Sequence, residues 1–406
     1  MNDVVLNNGQ TQLVNDAIQW WRHRSYQTFE LSGPPGCGKT WIVNYIIDML
    51  HIDRQRIAPM AYTGSAAINM RTKGMTNAGT IFSWLYDFEE KPMYGIDGLP
   101  IVDPVFNKVK TRLEFVPKKA LIGIDLIIVD EAGMVPEDMR KVIDSMGIPV
   151  IAMGDIDQLP PIAGKPGYLT NPNTVHFLTE IMRQAEGNTI ITFSQLAIQG
   201  REIPIGHYKN VDVIYDDQLT DEMIANSRIV ICGKNVTRDK FINHIRHDML
   251  GFHGDFPHYG ERLVCRKNNW HIEAGGINLT NGLLGSCISR PDMSVFNRTD
   301  QTFKLDFKPD LINTMDYFQG IDVDYRYLNG DKSVRDAIMS TRFSKGNKFE
   351  YGYAITTHMA QGAEFDHGIY IEEYLNKNIN RNLNYVGITR FRLHCIYVKR
   401  RPRQYY

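Results

Sequence analysis

The sequence predicts an α/β protein of two or more domains, and three observations carry that expectation. At 406 residues the chain exceeds what one hydrophobic core usually supports. Short apolar runs that read as buried strands, at 57–61, 126–129 and 150–153, alternate with helical patterns. Between the alternating strand pattern Thr28-Phe29-Glu30-Leu31 and a helical stretch from Trp41 to Leu50, Gly33-Pro34-Pro35-Gly36-Cys37-Gly38-Lys39-Thr40 fits G-x-x-x-x-G-K-[ST] in the strand-to-helix context that motif requires.

Composition narrows the class. Hydrophobic content of 43% with 22% charged residues is ordinary for a globular protein, and no apolar run is long enough to span a bilayer. Met1 to Gln10 lacks the basic and apolar regions of a signal peptide, so a cytoplasmic location is expected. The cysteines, Cys37, Cys232, Cys265, Cys287 and Cys395, are scattered and never form C-x-x-C, which argues against a disulfide framework or a zinc site. A net charge of −1 gives no global attraction to nucleic acid, so any such binding needs a local basic groove.

From the N-terminus, Leu13, Val14, Ala17, Ile18 and Trp21 mark a helix. Gln10 reads as an exposed residue at its start, with adenine recognition as the alternative suggested by its place upstream of the P-loop strand. In the loop, Gly33, Pro34, Pro35, Gly36, Cys37 and Gly38 form a cradle whose glycines let backbone N–H groups turn toward a polyphosphate at a helix N-terminus. Lys39 is placed to reach the β- and γ-phosphates and Thr40 to hold Mg²⁺ through its hydroxyl. The loop specifies a nucleoside triphosphate but not what its hydrolysis drives.

After the second strand, Thr63-Gly64-Ser65-Ala66-Ala67 opens a helix whose hydroxyls suit either a phosphate or a capping turn. Beyond Thr80, the stretch 86–118 is rich in Pro and Gly, with strand-like pieces such as 113–116, and suggests a small inserted module. The sheet resumes at Leu126-Ile127-Ile128-Val129-Asp130-Glu131. Its two carboxylates fit a P-loop partner, Asp130 fixing Mg²⁺ and Glu131 deprotonating the attacking water. Another strand, from Val150, ends in Gly154-Asp155-Ile156-Asp157-Gln158, where Gln158 is a candidate γ-phosphate sensor.

GPPGCGKT, VDEAGM and GDIDQLPPI, in that order, resemble the first half of a superfamily one helicase. Leu178 to Ala185, with Ala197 to Gly200, is similar to the next motif of the branch that contains RecD-like, Dda-like and Pif-type helicases; YAITTHMAQGAEFD and NYVGITR resemble its last two. The resemblance spans nearly the whole chain. It implies two RecA-like α/β domains with parallel sheets, a superfamily 1B architecture, ATP and Mg²⁺ as cofactors, and translocation 5′ to 3′ on single-stranded DNA with unwinding of fork or tailed duplex, by a monomer.

Residue by residue, the resemblance makes Gln10 the adenine reader, Arg183 and Arg390 the arginine fingers, and Gly362 and Glu364 part of the nucleotide site. Thr63, Gly64, Ser65, Thr80, Phe106, Asn268, Thr356, His358 and Gln361 would line or couple the DNA channel. The chain departs from the family pattern at Met359, where Lys is common and a phosphate contact is expected to be lost, at Phe391 in place of a small residue, and at Gly133 in place of Ser. Domain 1A is expected over 1–85 and 119–170, a wedge module over 86–118, domain 2A over 171–252 and 350–406, and an SH3-like β insertion over 253–349. Tyr86, Phe88, Tyr94, Phe106 and Phe115 are the candidate duplex-parting aromatics. The rival readings are a nucleic-acid remodeller that does not separate strands and a P-loop kinase or small-molecule NTPase.

Overall fold

The computed structural model describes residues 6–401 except 96, 103–108, 110, 162, 180–186, 292–295, 311–315, 341–344 and 377–378. Helix α1 (Asn8–His23) starts at a capping box in which Asn7 Oδ1 accepts the Gln10 N–H at 2.7 Å and Gln10 Oε1 accepts the Asn7 N–H at 3.2 Å. Strand β1 (Thr28–Ser32) then feeds the P-loop and α2 (Lys39–Met49), followed by β2 (Ile57–Ala61), α3 (Gly64–Thr72), β3 (Gly79–Thr80) and α4 (Ile81–Leu85).

A hairpin of β4 (Tyr86–Pro92) and β5 (Thr111–Pro117) interrupts the alternation and forms a separate two-stranded sheet. Alternation resumes with β6 (Leu126–Asp130), α5 (Glu137–Ser145), β7 (Val150–Gly154) and β8 (Val175–Phe177).

The first sheet has the order β3-β2-β6-β7-β1-β8, with every pairing parallel. Its central strands β2, β6 and β7 read as largely apolar runs because both faces are buried. Leu126 and Ile128 pack with Ile42, Ile46 and Leu13 on one side, whereas Ile127 and Val129 pack with Ile81, Met139 and Ile143 on the other. Parallel strands place the P-loop after β1, Asp130 and Glu131 at the end of β6, and residues 155–158 after β7 at one edge, the carboxyl ends of the strands.

The second sheet begins with α6 (Thr189–Ile198), β9 (Gly206–His207), β10 (Val211–Tyr215), α7 (Asp221–Ala225), β11 (Val230–Cys232) and α8 (Asn235–Asn243). The chain then leaves for β12 (Arg262–Cys265), β13 (Asn269–Ala274), β14 (Ile277–Leu279), β15 (Leu284–Cys287), β16 (Thr302–Pro309), β17 (Phe318–Asp324), α9 (Tyr325–Asn329), α10 (Lys332–Ser340) and β18 (Phe349–Tyr351). It returns as β19 (Ala354–Thr356), β20 (Phe365–Ile371), α11 (Asn380–Thr389) and β21 (Phe391–Lys399). The order β19-β11-β20-β21-β10-β9 is parallel except for the β9 edge. Two RecA-like parallel sheets therefore follow one another, as the resemblance implies.

The excursion folds as an antiparallel sheet of order β17-β16-β15-β12-β18, with β13 and β14 as a hairpin beside it. Pairing of β12 with β18 brings the two ends of the excursion together, so the second sheet resumes three residues after Tyr351. Phe303, Phe307, Phe318 and Phe349 share a core with Ile214, Val230 and Ile369 of that sheet, which fixes the excursion to its parent. All five cysteines are buried and unbonded. Among the described residues no helix is long and apolar enough to cross a membrane.

Candidate active site

A cleft of about 610 Å³ opens between the two parallel sheets. Pro34, Pro35, Gly36, Gly38, Lys39 and Thr40 line one wall, and Gly362, Glu364, Thr389, Arg390 and Arg392 the other. Gly36 and Gly38 have φ of 80° and 83°, left-handed values that a side chain would strain. Gly38 is also the N-cap of α2 and has no side chain to occupy the first amides of the helix, so these stay available to an anion. Cys37 is buried against Gly33, whose own Cβ would lie 2.6 Å from the Cys37 sulfur. The Lys39 ammonium folds back on the loop and donates to the Gly33 carbonyl at 2.6 Å and the Pro34 carbonyl at 3.1 Å.

Asp130 and Glu131 reach the cleft from the end of β6. The Asp130 carboxyl is pushed up to about 6, first by burial and then by Glu131 beside it, while Lys39 and Lys73 pull it partly back. Its Oδ1 accepts the Glu131 N–H at 2.8 Å. Glu131 sits at φ 50°, so the chain turns sharply just where the second carboxylate must face the cleft. Gln158 is buried, and its Oε1 has no hydrogen-bond partner among the described residues.

Arg390 closes the site from the end of α11. It is 4% exposed, yet neutral oxygens hold it: Val386 O at 3.1 Å, Ala363 O at 3.3 Å and Thr389 Oγ1 at 3.2 Å. Among the described residues its hydrogen bonds go to neutral oxygens, with the Glu364 carboxylate near enough to feel its charge, so a further anion in the cleft would offset the cost of burying it. Burial would raise the Glu364 carboxyl, but Lys73, Arg390 and Arg392 outweigh it and hold the group below its usual range. Lys73 pairs with Glu364 at 3.2 Å across the cleft.

Further contacts tie the two walls. Asn69 Nδ2 donates to Gly362 O at 2.7 Å, Gln361 Nε2 to Leu159 O at 3.1 Å, Asn382 Nδ2 to Asp157 O at 2.7 Å, and the Tyr385 hydroxyl to Asp155 Oδ2 at 2.6 Å. Sequence reading missed Asn69, Lys73 and Asn382. A lone polar residue on a helix carries no pattern, and only the meeting of two sheets gives each a partner. Tyr385 lies inside the NYVGITR motif five residues before Arg390, and nothing in its pattern marks it as a partner for Asp155.

Gln10 is not the exposed residue expected. It is 3% exposed because its side chain closes the α1 capping box, and it is absent from the cleft wall. Arg183 and Phe106 lie outside the described residues.

The residues assigned to a DNA channel meet in part. Thr63 Oγ1 caps α3 through the Ala66 N–H at 3.2 Å, and Thr80 Oγ1 caps α4 through the Ser83 N–H at 3.2 Å. Gly64 and Ser65 are buried under the loop 280–282: Ser65 Oγ donates to Gly282 O at 3.5 Å, and a Cβ on Gly64 would lie 1.9 Å from Thr280 Oγ1. Exposed Asn268 accepts the Asn281 N–H at 2.7 Å and so joins that loop. Thr356 ends β19 half-buried, Gln361 is buried, and half-buried His358 has its pKa lowered by burial. Met359 is not left without a cation, because Arg266 Nη1 of the excursion rests on its sulfur. Phe391 is accommodated by Gly368, where a Cβ would lie 2.5 Å from the Phe391 ring. Gly133 has room for the Ser it replaces, since its Cβ would meet nothing nearer than Asp155 O at 3.5 Å.

Paired RecA-like sheets with a P-loop, two carboxylates and a buried arginine around one cleft define a P-loop protein of the two-domain kind. Residues 5–217 match the AAA_30 family model, described as an AAA domain; that is over half of the chain, and the chain belongs to this family. The chain is 28% identical over 149 residues to the ATP-dependent DNA helicase Pif1 of Psychrobacter sp. (strain PRwf-1), a match that covers 33% of this chain and 20% of that protein. The chain thus matches only about a fifth of that curated relative.

Among solved structures, the fold is similar to a Pif1 helicase studied for unwinding of forked double-stranded DNA by two coordinating copies. The TM-score is 0.55 at 18% identity, covering 97% of this chain and 92% of that one. It is also similar to Pif1 helicase from Bacteroides in complex with ADP-AlF3 and single-stranded DNA, with a TM-score of 0.53 at 18% identity, covering 98% and 92%. At these identities the likeness is one of fold, and it agrees with the Pif-type branch indicated by the motifs.

Proposed function

We propose that the protein is an ATP-dependent DNA helicase that moves 5′ to 3′ on single-stranded DNA and unwinds duplex. One observation carries the reading: Arg390, buried and held by neutral oxygens, closes from the second sheet a cleft whose first wall brings Lys39, Asp130, Glu131 and Gln158 together. That is the arrangement needed to place a triphosphate between two bodies and sense its hydrolysis in both.

In this reading Lys39 leaves the Gly33 and Pro34 carbonyls for the β- and γ-phosphates, Glu131 takes a proton from the attacking water, and Gln158 uses its side-chain oxygen, which has no partner among the described residues, to orient that water. Arg390, with Arg183, neutralises charge on the phosphoryl group in flight. A buried carboxylate beside an amide-rich helix start suits Mg²⁺, which Asp130 and Thr40 would hold and which would neutralise phosphate charge when bound. Glu364 and Gly362 carry the state of the cleft to α3 through Lys73 and Asn69.

Domain 1A is proposed as 1–85 and 119–170, the wedge as 86–118, domain 2A as 171–252 and 350–406, and an SH3-like insertion as 253–349. Single-stranded DNA would run over the start of α3, past Thr80, Asn268, Thr356, His358 and Gln361, with fork or tailed duplex DNA ahead of the wedge. ATPase measured with and without single-stranded DNA, followed by displacement of duplexes carrying a single 5′ or 3′ tail, tests the proposal. DNA-stimulated hydrolysis with displacement of the 5′-tailed duplex is expected. Hydrolysis indifferent to DNA would overturn it, and displacement of only the 3′-tailed duplex would overturn the polarity.

A further inference from the structure

Trp41, the residue after Thr40, lies on the cleft wall and is 40% exposed, whereas Ile190 and Phe391, which line the cleft from the other side, are buried. Its ring is stacked on Tyr45 one helical turn on, with centroids 5.7 Å apart and planes 21° from parallel. The pair therefore presents a rigid, flat aromatic face at the mouth of the site. An indole left in water at that position gives up burial that a core position would provide, unless something planar covers it.

The chain has already fixed where the phosphates go. The cradle ends at Thr40, so the nucleoside of a bound triphosphate extends outward past the first turn of α2, the turn that carries Trp41. Across the cleft, Ile190 and Ile191 at the start of α6 supply an apolar opposite wall.

The polar side chains around this part of the cleft are turned to the protein itself. Asn44 donates to Thr40 O at 3.0 Å and Lys73 O at 3.1 Å, and accepts from Arg54 Nη1 at 2.7 Å. Asn188 caps α6 by accepting the Ile190 N–H at 3.0 Å, and Ser194 donates to Ile191 O at 2.8 Å. Gln10 spends its carbonyl oxygen on the α1 cap. The oxygens of Asn44, Asn188 and Gln10 and the hydroxyl proton of Ser194 are thus committed to the protein, and what this end of the cleft presents most prominently to a base is a ring face with apolar contact.

We infer that Trp41 is the platform on which the nucleobase stacks, and that the site consequently discriminates poorly between purine nucleoside triphosphates. Every base has a π-face, so stacking holds adenine and guanine alike, whereas an edge reader would separate them sharply. The inference rests on the cleft being the triphosphate site and deepens that reading by naming what holds the base.

The experiment compares wild type, Trp41→Ala and Trp41→Phe in steady-state hydrolysis of ATP and GTP, with inorganic tripolyphosphate as a competitor that has no base. Wild type is expected to use ATP and GTP with kcat/KM within about fivefold of each other. Trp41→Ala should raise both KM values about tenfold, in line with loss of one base-aromatic stack, and leave kcat nearly unchanged. Trp41→Phe should restore most of the loss, and the tripolyphosphate inhibition constant should be the same in all three proteins.

An unchanged KM in Trp41→Ala, equal weakening of tripolyphosphate, or preference for ATP over GTP by a hundredfold or more would each overturn the inference while leaving the P-loop reading intact. Wild type that binds neither triphosphates nor tripolyphosphate would overturn both.

Discussion

The Tyr385 hydroxyl donates to Asp155 Oδ2 at 2.6 Å, and both side chains are buried where α11 of the second sheet meets the loop after β7 of the first. Asp155 stands three residues before Gln158, and Tyr385 five before Arg390, so this bond links the segment that carries Gln158 to the one that carries Arg390 across the cleft. Tyr385→Phe removes the donor and leaves a buried carboxyl short of a partner. It should cost about 1 to 3 kcal/mol of stability. In turnover it should lower kcat about tenfold while the ATP KM stays within about threefold. Loss confined to KM would show that the bond does not serve the coupling of the two walls.

Lys39 and Glu131 are expected to fail differently. Lys39→Ala should weaken nucleotide binding as well as turnover, since its ammonium is the loop's own cation. Glu131→Gln should still bind ATP and retain it unhydrolysed, because the carboxamide keeps the shape and loses the base. Filter binding of labelled ATP beside a hydrolysis assay separates the two; wild-type turnover by Glu131→Gln would remove Glu131 from its role.

Arg390→Ala should act on the transition state, lowering kcat by about 10³ or more with a much smaller change in the ATP KM. Arg390→Lys should not rescue it, because the three oxygens that hold Arg390 are spaced for a guanidinium and a compact ammonium cannot reach them together. A KM effect alone at this position would defeat the finger assignment.

Much of the first sheet is legible in the sequence because β2, β6 and β7 are buried on both faces and so read as apolar runs, and because the P-loop pattern names its own flanking elements, β1 and α2. The excursion from β12 to β18 was legible only as short strands and turns, since its register depends on pairs such as Leu263 with Tyr351, far apart in sequence. Gln10 was misread as exposed because a glutamine at N3 can reach back to the N-cap, and that depends on Asn7 adopting extended backbone. Phe391 looked like a departure from pattern; its compensation is Gly368, a missing side chain on the next strand of the sheet. Met359 looked like a lost cation, and the structure brings Arg266 to it from another sheet. Such substitutions are legible only once both partners are in place.

Asp130 carries a pH signature. Its pKa in the folded protein is raised from 3.8 to about 6, so the folded state holds that proton more tightly than the unfolded chain does. The associated stability is fully present below about pH 4 and is lost as pH rises through about 6. At pH 7 the buried, ionised carboxylate therefore costs on the order of a few kcal/mol. Asp130→Asn should raise the melting temperature at pH 7 and leave it nearly unchanged at pH 4, while abolishing hydrolysis. An equal change at both pH values would contradict a burial-strained carboxylate.

The hairpin of β4 and β5 can be tested as the duplex-parting element because the fold makes it separable. Among the described residues its strands pair only with each other, Tyr86 stands opposite Pro117 at its base, and the Lys118 N–H donates to Leu85 O at 2.8 Å. Tyr86 should be kept, since its ring stacks on Phe82 at 5.2 Å. Replacing residues 87–116 by two glycines then joins chain ends that are already cross-strand neighbours, so the parallel sheet and its cleft lose no pairing. If the hairpin parts the duplex, the shortened protein should melt within a few degrees of wild type and keep its DNA-stimulated ATPase. Its displacement of a 5′-tailed duplex should fall at least tenfold, because an unopposed fork re-anneals behind a motor that has nothing to hold the strands apart. Displacement at the wild-type rate would move strand separation to another part of the molecule, and the loop 280–282 over the start of α3 would be the next place to cut.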